Sequence, residues 1–181
     1  MSVPLALRAL GRALHALIKA VDATNEWTGR LVAWAVVPLM GGLVYEVVAR
    51  YVFGAPTLWA YDFTYMLYGG MFMVGAGYTL LKQGHIRTDM LYRLLPERWQ
   101  ALIDTLLYPV FFFPAVVYLL VVGIDFAEYS WSIREKAAFG AWRPPIYPLK
   151  TVVPVAAFLL LLQGASEFVK SIRAAVRGGW T

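Results

Sequence analysis

The chain has 181 residues, of which 60% are hydrophobic and only 15% are charged. Soluble domains carry roughly 25% charged residues, so the composition excludes an ordinary water-soluble enzyme and a disordered chain. The lack of cysteine excludes disulfides and thiolate chemistry, and two histidines leave little room for haem or zinc ligands. The formal net charge is +5. In so apolar a chain we interpret that excess as a membrane-orientation signal and expect no nucleic-acid partner.

Residues 1–24 are predicted to form an amphipathic helix. Leucine recurs along one helical face, and the basic residues Arg8, Arg12 and Lys19 lie on the opposite face. A basic amphipathic helix ahead of a span is typical of the membrane interface, and a soluble cap packed on a partner is the alternative. The longest uninterrupted apolar run here, residues 4–7, is too short for a signal peptide, so we expect none.

Four stretches have the length and apolarity of membrane-spanning helices, which need about 20 residues. They cover about 28–50, 60–81, 105–128 and 149–170. A further short amphipathic segment lies between the second and third stretches, and we expect Pro96 to divide it into two pieces lying flat on the membrane. The predicted fold is therefore an all-α membrane protein, with residues 1–181 forming a single membrane domain.

Basic residues predict the orientation. Eleven of the 16 lie in the amino-terminal segment, the loop after span two and the carboxy-terminal tail, and five lie on the other side. The positive-inside rule then places both termini in the cytoplasm. Trp27, Trp131 and Trp142 fall near span ends, where tryptophan anchors helices at the membrane interface.

The span centres carry no ionisable residue, whereas self-sufficient transporters usually keep such groups near the membrane midplane. We therefore predict no catalytic, substrate-binding or metal-binding residue and no cofactor. Span two has a face of small residues on which a neighbouring helix could approach closely: Gly69, Gly70, Ala76 and Gly77. That neighbour is either this chain's own bundle or another subunit.

Two stretches on either side of the second span carry recognisable motifs. The first runs from Glu46 through Arg50 to Trp59 and Asp62, and the second contains His85 with Asp89 four residues later. Both resemble signatures of the small permease subunits of TRAP transporters, the DctQ family. The length, the four spans and the basic amino-terminal helix also match the family. Asp62 stands where a glutamate is expected, which keeps the charge but shortens its reach.

The resemblance implies a tripartite importer in the bacterial inner membrane. In such a system a periplasmic protein captures an organic acid, and a large membrane subunit carries it inward with sodium. The small subunit would brace the large one, help to dock the periplasmic protein and contact membrane lipids, without binding substrate. The loop 125–150 is similar to that of a branch associated with 2-oxo acids and related carboxylates.

The resulting interface candidates fall into two sets. Candidates for contact with the large subunit are Glu46, Arg50, Trp59, Asp62, Gly69, Gly70, Ala76, Gly77, His85 and Asp89. Candidates for docking the periplasmic protein are Arg134, Lys136, Arg143 and Lys150. Local structural roles are the alternative. Glu46 can pair with Arg50, and a hydrogen bond from His85 can start the amphipathic helix. The loop cations can be neutralised within the loop by Asp125, Glu128 and Glu135. The rival functions are a small homo-oligomeric transporter or channel and a membrane enzyme.

Overall fold

The computed structural model describes residues 5–82, 95–138 and 142–177, and the described chain is all-α, as predicted. Its α-helices are α1 (Leu5–Ala33), α2 (Val36–Tyr51), α3 (Ala60–Leu81), α4 (Glu97–Leu107), α5 (Phe113–Ser132) and α6 (Tyr147–Arg177). A π-helical segment, Tyr108–Phe112, joins α4 to α5. An isolated antiparallel bridge between Lys136 and Pro145 closes the loop before α6.

Three helical stretches are long and apolar enough to cross a membrane: Gly11–Tyr51, Glu97–Ser132 and Tyr147–Val176. These confirm the membrane class. Helix α3 has 22 residues, about 33 Å, which matches a hydrocarbon core of about 30 Å, but it is not among the three. The count of four spans therefore stays a prediction.

Helices α1 and α2 form one long apolar unit with a single break. Helix α1 continues past residue 24, the predicted end of the interfacial helix, to Ala33. The chain then makes a turn at Trp34 and Ala35 before α2 begins. Pro38 explains the break, because proline has no N–H and its ring clashes with the carbonyl four residues earlier, which here belongs to Trp34.

The segment after Pro96 differs from the prediction of a separate flat helix. Helix α4 begins at Glu97 and runs through the π-helical segment directly into α5, as one stretch of 36 residues. Pro109 lies inside that segment, and the wider π-helical turn accommodates a residue that cannot complete the α-helical hydrogen-bond ladder. The other half of the predicted segment lies outside the described residues.

Helix α6 is the centre of the bundle, since α1, α3, α4 and α5 all pack against it, whereas α2 packs on α3. Glycines allow the closest approaches. A Cβ atom at Gly164 would overlap the ring of Phe112, and one at Gly123 would lie 3.4 Å from the nitrogen of Pro154. Small residues at helix contacts are the usual solution in membranes, where packing replaces hydrophobic burial as the attraction between helices.

Candidate partner interface

A cluster of polar side chains fastens α1 to the carboxy-terminal half of α6. We call it the polar clamp, and its members are Asp22, Asn25, Gln163, Ser166, Glu167 and Lys170. Gln163 is fully buried and Asn25 is 1% exposed. Such groups are stable in a helix bundle only when they satisfy one another, because an unpaired buried polar group is costly.

Gln163 is the hub of the clamp. Its amide oxygen accepts a hydrogen bond of 3.0 Å from Asn25 Nδ2. Its amide nitrogen donates to Asp22 Oδ1 at 2.9 Å and to Glu167 Oε1 at 3.1 Å. One side chain therefore joins the helices through two hydrogen bonds to α1 and makes a third within α6.

Lys170 supplies the positive charge of the clamp. Its ammonium lies 2.8 Å from Asp22 Oδ2 and 2.7 Å from Glu167 Oε1. Ser166 also donates to Asp22, at 2.9 Å. Asp22 and Glu167 thus share the Lys170 ammonium and accept three further hydrogen bonds from Gln163 and Ser166. The charges of the clamp therefore pair with one another.

The clamp also touches α3 through Gly77. The side-chain oxygen of Asn25 is buried without a hydrogen-bond partner among the described residues. A Cβ atom at Gly77 would overlap this oxygen and would come within 3.7 Å of the backbone carbon of Leu159. A glycine Cα–H group occupies that direction instead, so α1, α3 and α6 meet here because residue 77 has no side chain.

Glu46 lies near the carboxy-terminal end of α2, where the chain turns toward α3. Arg50 donates to one Glu46 carboxylate oxygen, with a distance of 2.9 Å from Nε, which is the pairing that the spacing of four indicates. The backbone N–H of Thr57 donates to the other oxygen at 2.9 Å, and the Thr57 hydroxyl donates to it as well. Glu46 therefore fixes the turn between α2 and α3, and part of the Arg50 side chain stays exposed.

Trp59 and Asp62 lie at the start of α3. The Trp59 ring stacks on Tyr45 with centroids 5.9 Å apart and meets the edge of Phe63 at 5.7 Å. Asp62 is 8% exposed, and its Oδ2 has no hydrogen-bond partner among the described residues. The stack on Tyr45 ties α2 to the start of α3, and the contact with Phe63 holds the Trp59 ring against the first turn of α3.

The small residues predicted on span two do not share one environment. Gly77 is buried against α1 and α6, and a Cβ at Gly70 would lie 3.9 Å from Leu149 Cδ1 of α6. A Cβ at Gly69 would have no neighbour within 4 Å, and Ala76 is half-buried. Gly77 thus serves the chain's own bundle, and contact of Gly69 with another subunit stays a prediction.

The loop before α6 carries the predicted docking residues. Lys150 pairs with Glu135 and its ammonium lies 3.9 Å from the Phe126 ring centroid, so Lys150 is largely neutralised. The hydrogen bond from Lys150 lowers the pKa of Glu135 below its ordinary value of 4.5. Three other cations of this loop are exposed: Arg134, Lys136 and Arg143. Arg134 and Arg143 both adopt positive φ angles, 47° and 45°.

An open apolar groove of about 720 Å³ lies beside this loop. Its walls come from the junction of α1 and α2, from α3, and from the start of α6, with Trp142 and Pro144 contributed by the loop. Trp142 is 49% exposed, and Trp131 donates from Nε1 to Thr151 Oγ1 at 2.8 Å. Both tryptophans are exposed, and their role as interfacial anchors stays a prediction.

The remaining predicted residues lie in or next to the amino-terminal and second loop segments. Arg12, Lys19 and Trp27 are exposed on α1. The side chain of Arg8 lies outside the described part of the structure, as do His85 and Asp89.

The polar clamp was not predicted from the sequence, although a signal was present. One face of α6 carries four polar side chains at the spacing i, i+3, i+4 and i+7, after the long apolar run 152–162: Gln163, Ser166, Glu167 and Lys170. Asp22 and Asn25 are likewise three apart on α1. The pattern gives no indication that the polar face of α1 contacts the polar face of α6.

Comparison with known proteins agrees with the resemblance noted from the sequence. A family model described as "Tripartite ATP-independent periplasmic transporters, DctQ component" matches residues 39–174, about three quarters of the chain. The chain is also 27% identical over 88 residues to the "Sialic acid TRAP transporter permease protein SiaT" of Haemophilus influenzae (strain 86-028NP). The matched segment is 49% of this chain but only 14% of that relative, so the relative is about three and a half times as long.

Proposed function

The chain belongs to the DctQ component family of tripartite ATP-independent periplasmic transporters, and we propose that it is the small, non-catalytic membrane subunit of an organic-acid importer. Membership makes it a membrane subunit of a TRAP transporter in the bacterial inner membrane. The relative named for sialic acid supports the substrate class, because sialic acid is itself a carboxylate.

The work of transport is divided in this proposal. A periplasmic binding protein captures the acid, and a large membrane subunit moves it inward, driven by a sodium gradient. The small subunit braces the large one and increases its contact with the membrane. The greater length of the SiaT relative supports this division, because the segment similar to this chain is a minor part of that permease.

The observation that carries the proposal is the polar clamp, whose charged groups are all paired with one another. A transport pathway needs polar groups that can exchange their partners for a substrate or an ion. Here Lys170 lies between Asp22 and Glu167, and Gln163 bonds to Asn25 and Asp22 across the contact between α1 and α6. These buried and half-buried polar groups hold helices together, which is the task of a scaffold.

The exposed loop cations support a second task, docking the periplasmic protein. Arg134, Lys136 and Arg143 project from a loop that the Lys136–Pro145 bridge holds in shape. An acidic patch on the periplasmic protein would be attracted to them, and such charges chiefly raise association rates. Lys150 is excluded from this set because Glu135 already neutralises it.

Reconstitution in proteoliposomes tests the proposal. We expect uptake of an organic acid only when this chain, the large subunit, the periplasmic protein and an inward sodium gradient are all present. We also expect the large subunit to co-purify with this chain. Sodium-dependent uptake by this chain alone would overturn the accessory role and favour the rival, an autonomous homo-oligomeric transporter.

A further inference from the structure

Helix α3 has an exposed face made entirely of aromatic rings. The exposed residues of α3 are Tyr61, Tyr65, Tyr68 and Phe72, whose exposed fractions are 77%, 64%, 58% and 68%. The other positions of this helix are buried or half-buried, against α1, α2 and α6. We call these four residues the aromatic stripe.

The spacing of the stripe is that of a helix–helix seam. Its residues follow one another by four, three and four positions, and this alternation keeps side chains in line with a neighbouring helix that crosses at about 20°. Tyr68 and Phe72 stack on each other with centroids 6.3 Å apart, which holds both rings along the same line.

The chemistry of the stripe is wrong for lipid chains. Three of its four members carry hydroxyl groups, and these make no hydrogen bond to another described residue. The hydrocarbon core offers such a hydroxyl no partner, and leaving it unpaired is costly. Consistently, among the helices that the structure describes with at least 18 residues, only α3 is not part of the three stretches apolar enough to cross a membrane.

Other exposed faces of the same protein show what a lipid-facing surface looks like. The exposed residues of α2 include Val37, Val44 and Val47, and those of α5 include Val121 and Ile124. These faces are mainly aliphatic, and a tyrosine such as Tyr118 of α5 stands among aliphatic residues there, whereas the exposed face of α3 has no aliphatic residue. The contrast within one bundle is between faces that carry a tyrosine among aliphatic residues and a face on which three tyrosines and a phenylalanine stand alone.

We propose that the aromatic stripe is the docking face for one transmembrane helix of the large transport subunit. This rests on the proposed function and adds the surface and the chemistry of the partner. The partner helix presents small residues opposite the rings, and exposed carbonyls or hydroxyls that accept hydrogen bonds from Tyr65 and Tyr68. Small residues let backbones approach closely and expose carbonyl oxygens to a donor.

Site-specific crosslinking in the full complex tests this assignment. Because the chain has no cysteine, a single cysteine introduced at a chosen position is the only labelling site in this chain and can carry a photoreactive crosslinker. Tyr65→Cys, Tyr68→Cys and Phe72→Cys should crosslink to the large subunit, while the control variants Val44→Cys and Val121→Cys should not. Crosslinks to a second copy of this chain, or to lipid alone, would overturn the assignment.

Removing only the hydroxyl groups gives a second, milder test. The double variant Tyr65→Phe with Tyr68→Phe keeps the rings and should weaken the complex about three- to tenfold, as expected for two interhelical hydrogen bonds. Tyr118→Phe is the matched control, because Tyr118 is 72% exposed on the aliphatic face of α5. Equal affinity of the double variant and the wild type would contradict the hydrogen-bonding part of the proposal.

The two tests distinguish this proposal from the proposed function. If the large subunit never co-purifies with this chain, the proposed function itself fails. If it co-purifies, but crosslinks come from the control positions in place of the stripe, only the assignment of the docking face is wrong.

Discussion

At the residue scale, Lys170 shows how a charge survives inside a bundle that is mostly hydrocarbon-like. Its ammonium contacts two carboxylates from two different helices, and neither carboxylate has another cation among its bonded partners in the described chain. Without the lysine, the negative charges of Asp22 and Glu167 would lie close together with too few hydrogen-bond donors to stabilise them. The two carboxylates would then repel each other, and α1 would separate more easily from α6.

We therefore expect Lys170→Ala to destabilise the protein by about 1–3 kcal/mol, the usual cost of leaving a buried polar group without its partner. Arg30→Ala is the control, because the Arg30–Glu26 pair is exposed and worth at most about 1 kcal/mol. Thermal unfolding in detergent measures both variants. If both variants have the same melting temperature, the clamp contributes no more to stability than a surface ion pair does.

A pair of glycines on α3 makes a sharper comparison, because the same substitution meets opposite surroundings. Gly77→Ala would push a methyl group into the Asn25 side chain and disturb its hydrogen bond to Gln163, at an overpacking cost of about 1–3 kcal/mol. Gly69→Ala meets nothing within 4 Å. We expect lower abundance and a lower melting temperature for Gly77→Ala only. Equal behaviour of the two variants would contradict the packing described at Gly77.

Hydrogen-bonded pairs of residues that are close in the sequence could be predicted, and pairs that are far apart in the sequence could not. The pairing of Glu46 with Arg50 follows from a spacing of four on one helix. The bond between Asn25 and Gln163 joins residues 138 positions apart, and it depends on how α1 approaches α6. Periodicity identifies the polar face of each helix but carries no information about which other helix that face meets.

The ends of the helices coincide with prolines only in part. Pro38 marks the break between α1 and α2, and Pro96 precedes the first turn of α4. Pro109 does not end its helix, because a π-helical turn absorbs it, and Pro154 lies inside α6. Whether a proline breaks or only widens a helix depends on neighbours that can re-satisfy the backbone, and these are set by tertiary packing.

Helix α1 combines two environments, which gives the prediction for this scale. From Ile18 onward it packs into the bundle through buried positions such as Asn25, while Leu17 is 64% exposed. We expect residues 1–24, which carry the predicted interfacial face, to bind an anionic membrane as a helix. Each leucine buried in the interface contributes about 1.5–3 kcal/mol at most. Each cation contributes about 1 kcal/mol near an anionic surface.

A peptide of residues 1–24 tests this with circular dichroism. Helicity should rise with anionic vesicles and rise much less with neutral ones. A peptide with Arg12→Glu and Lys19→Glu should lose the preference for anionic vesicles while keeping its apolar face. A wild-type peptide that stays unfolded on anionic vesicles would mean that α1 is stabilised only by the bundle.

At the scale of the whole molecule, the arrangement around α6 is what the sequence alone did not reveal. Helix α6 has 31 residues, about 46 Å, and exceeds a hydrocarbon core of about 30 Å. Its carboxy-terminal half carries Glu167 and Lys170 of the polar clamp, next to which α1 packs. The order of helices in a membrane bundle depends on shape and small residues, which leave a weaker trace in sequence than hydrophobic periodicity does.

The number of membrane crossings follows from how α3 is counted. If α3 crosses, the chain has four spans and both termini lie on the same side. If it does not, three spans place the termini on opposite sides. Its length of 22 residues and its packing against α1 and α6 favour crossing, and a partner helix on the aromatic stripe would cover its polar face.

We therefore expect reporter fusions in the segment 83–94 and after residue 181 both to report the cytoplasm, and a fusion at Arg143 to report the periplasm. The physical reason is the excess of basic residues, eleven against five, on the side that carries both termini. Each fusion should be made with a cytoplasmic and a periplasmic reporter, so that a silent fusion is not taken for a location. Residues 83–94 and 181 lie on the same side whether or not α3 crosses, so a further fusion at Gly54, between α2 and α3, decides the count and should report the periplasm. The same signal from Gly54 and from the segment 83–94 would show that α3 does not cross, and the aromatic stripe would then face water or a headgroup layer where its hydroxyls need no partner helix.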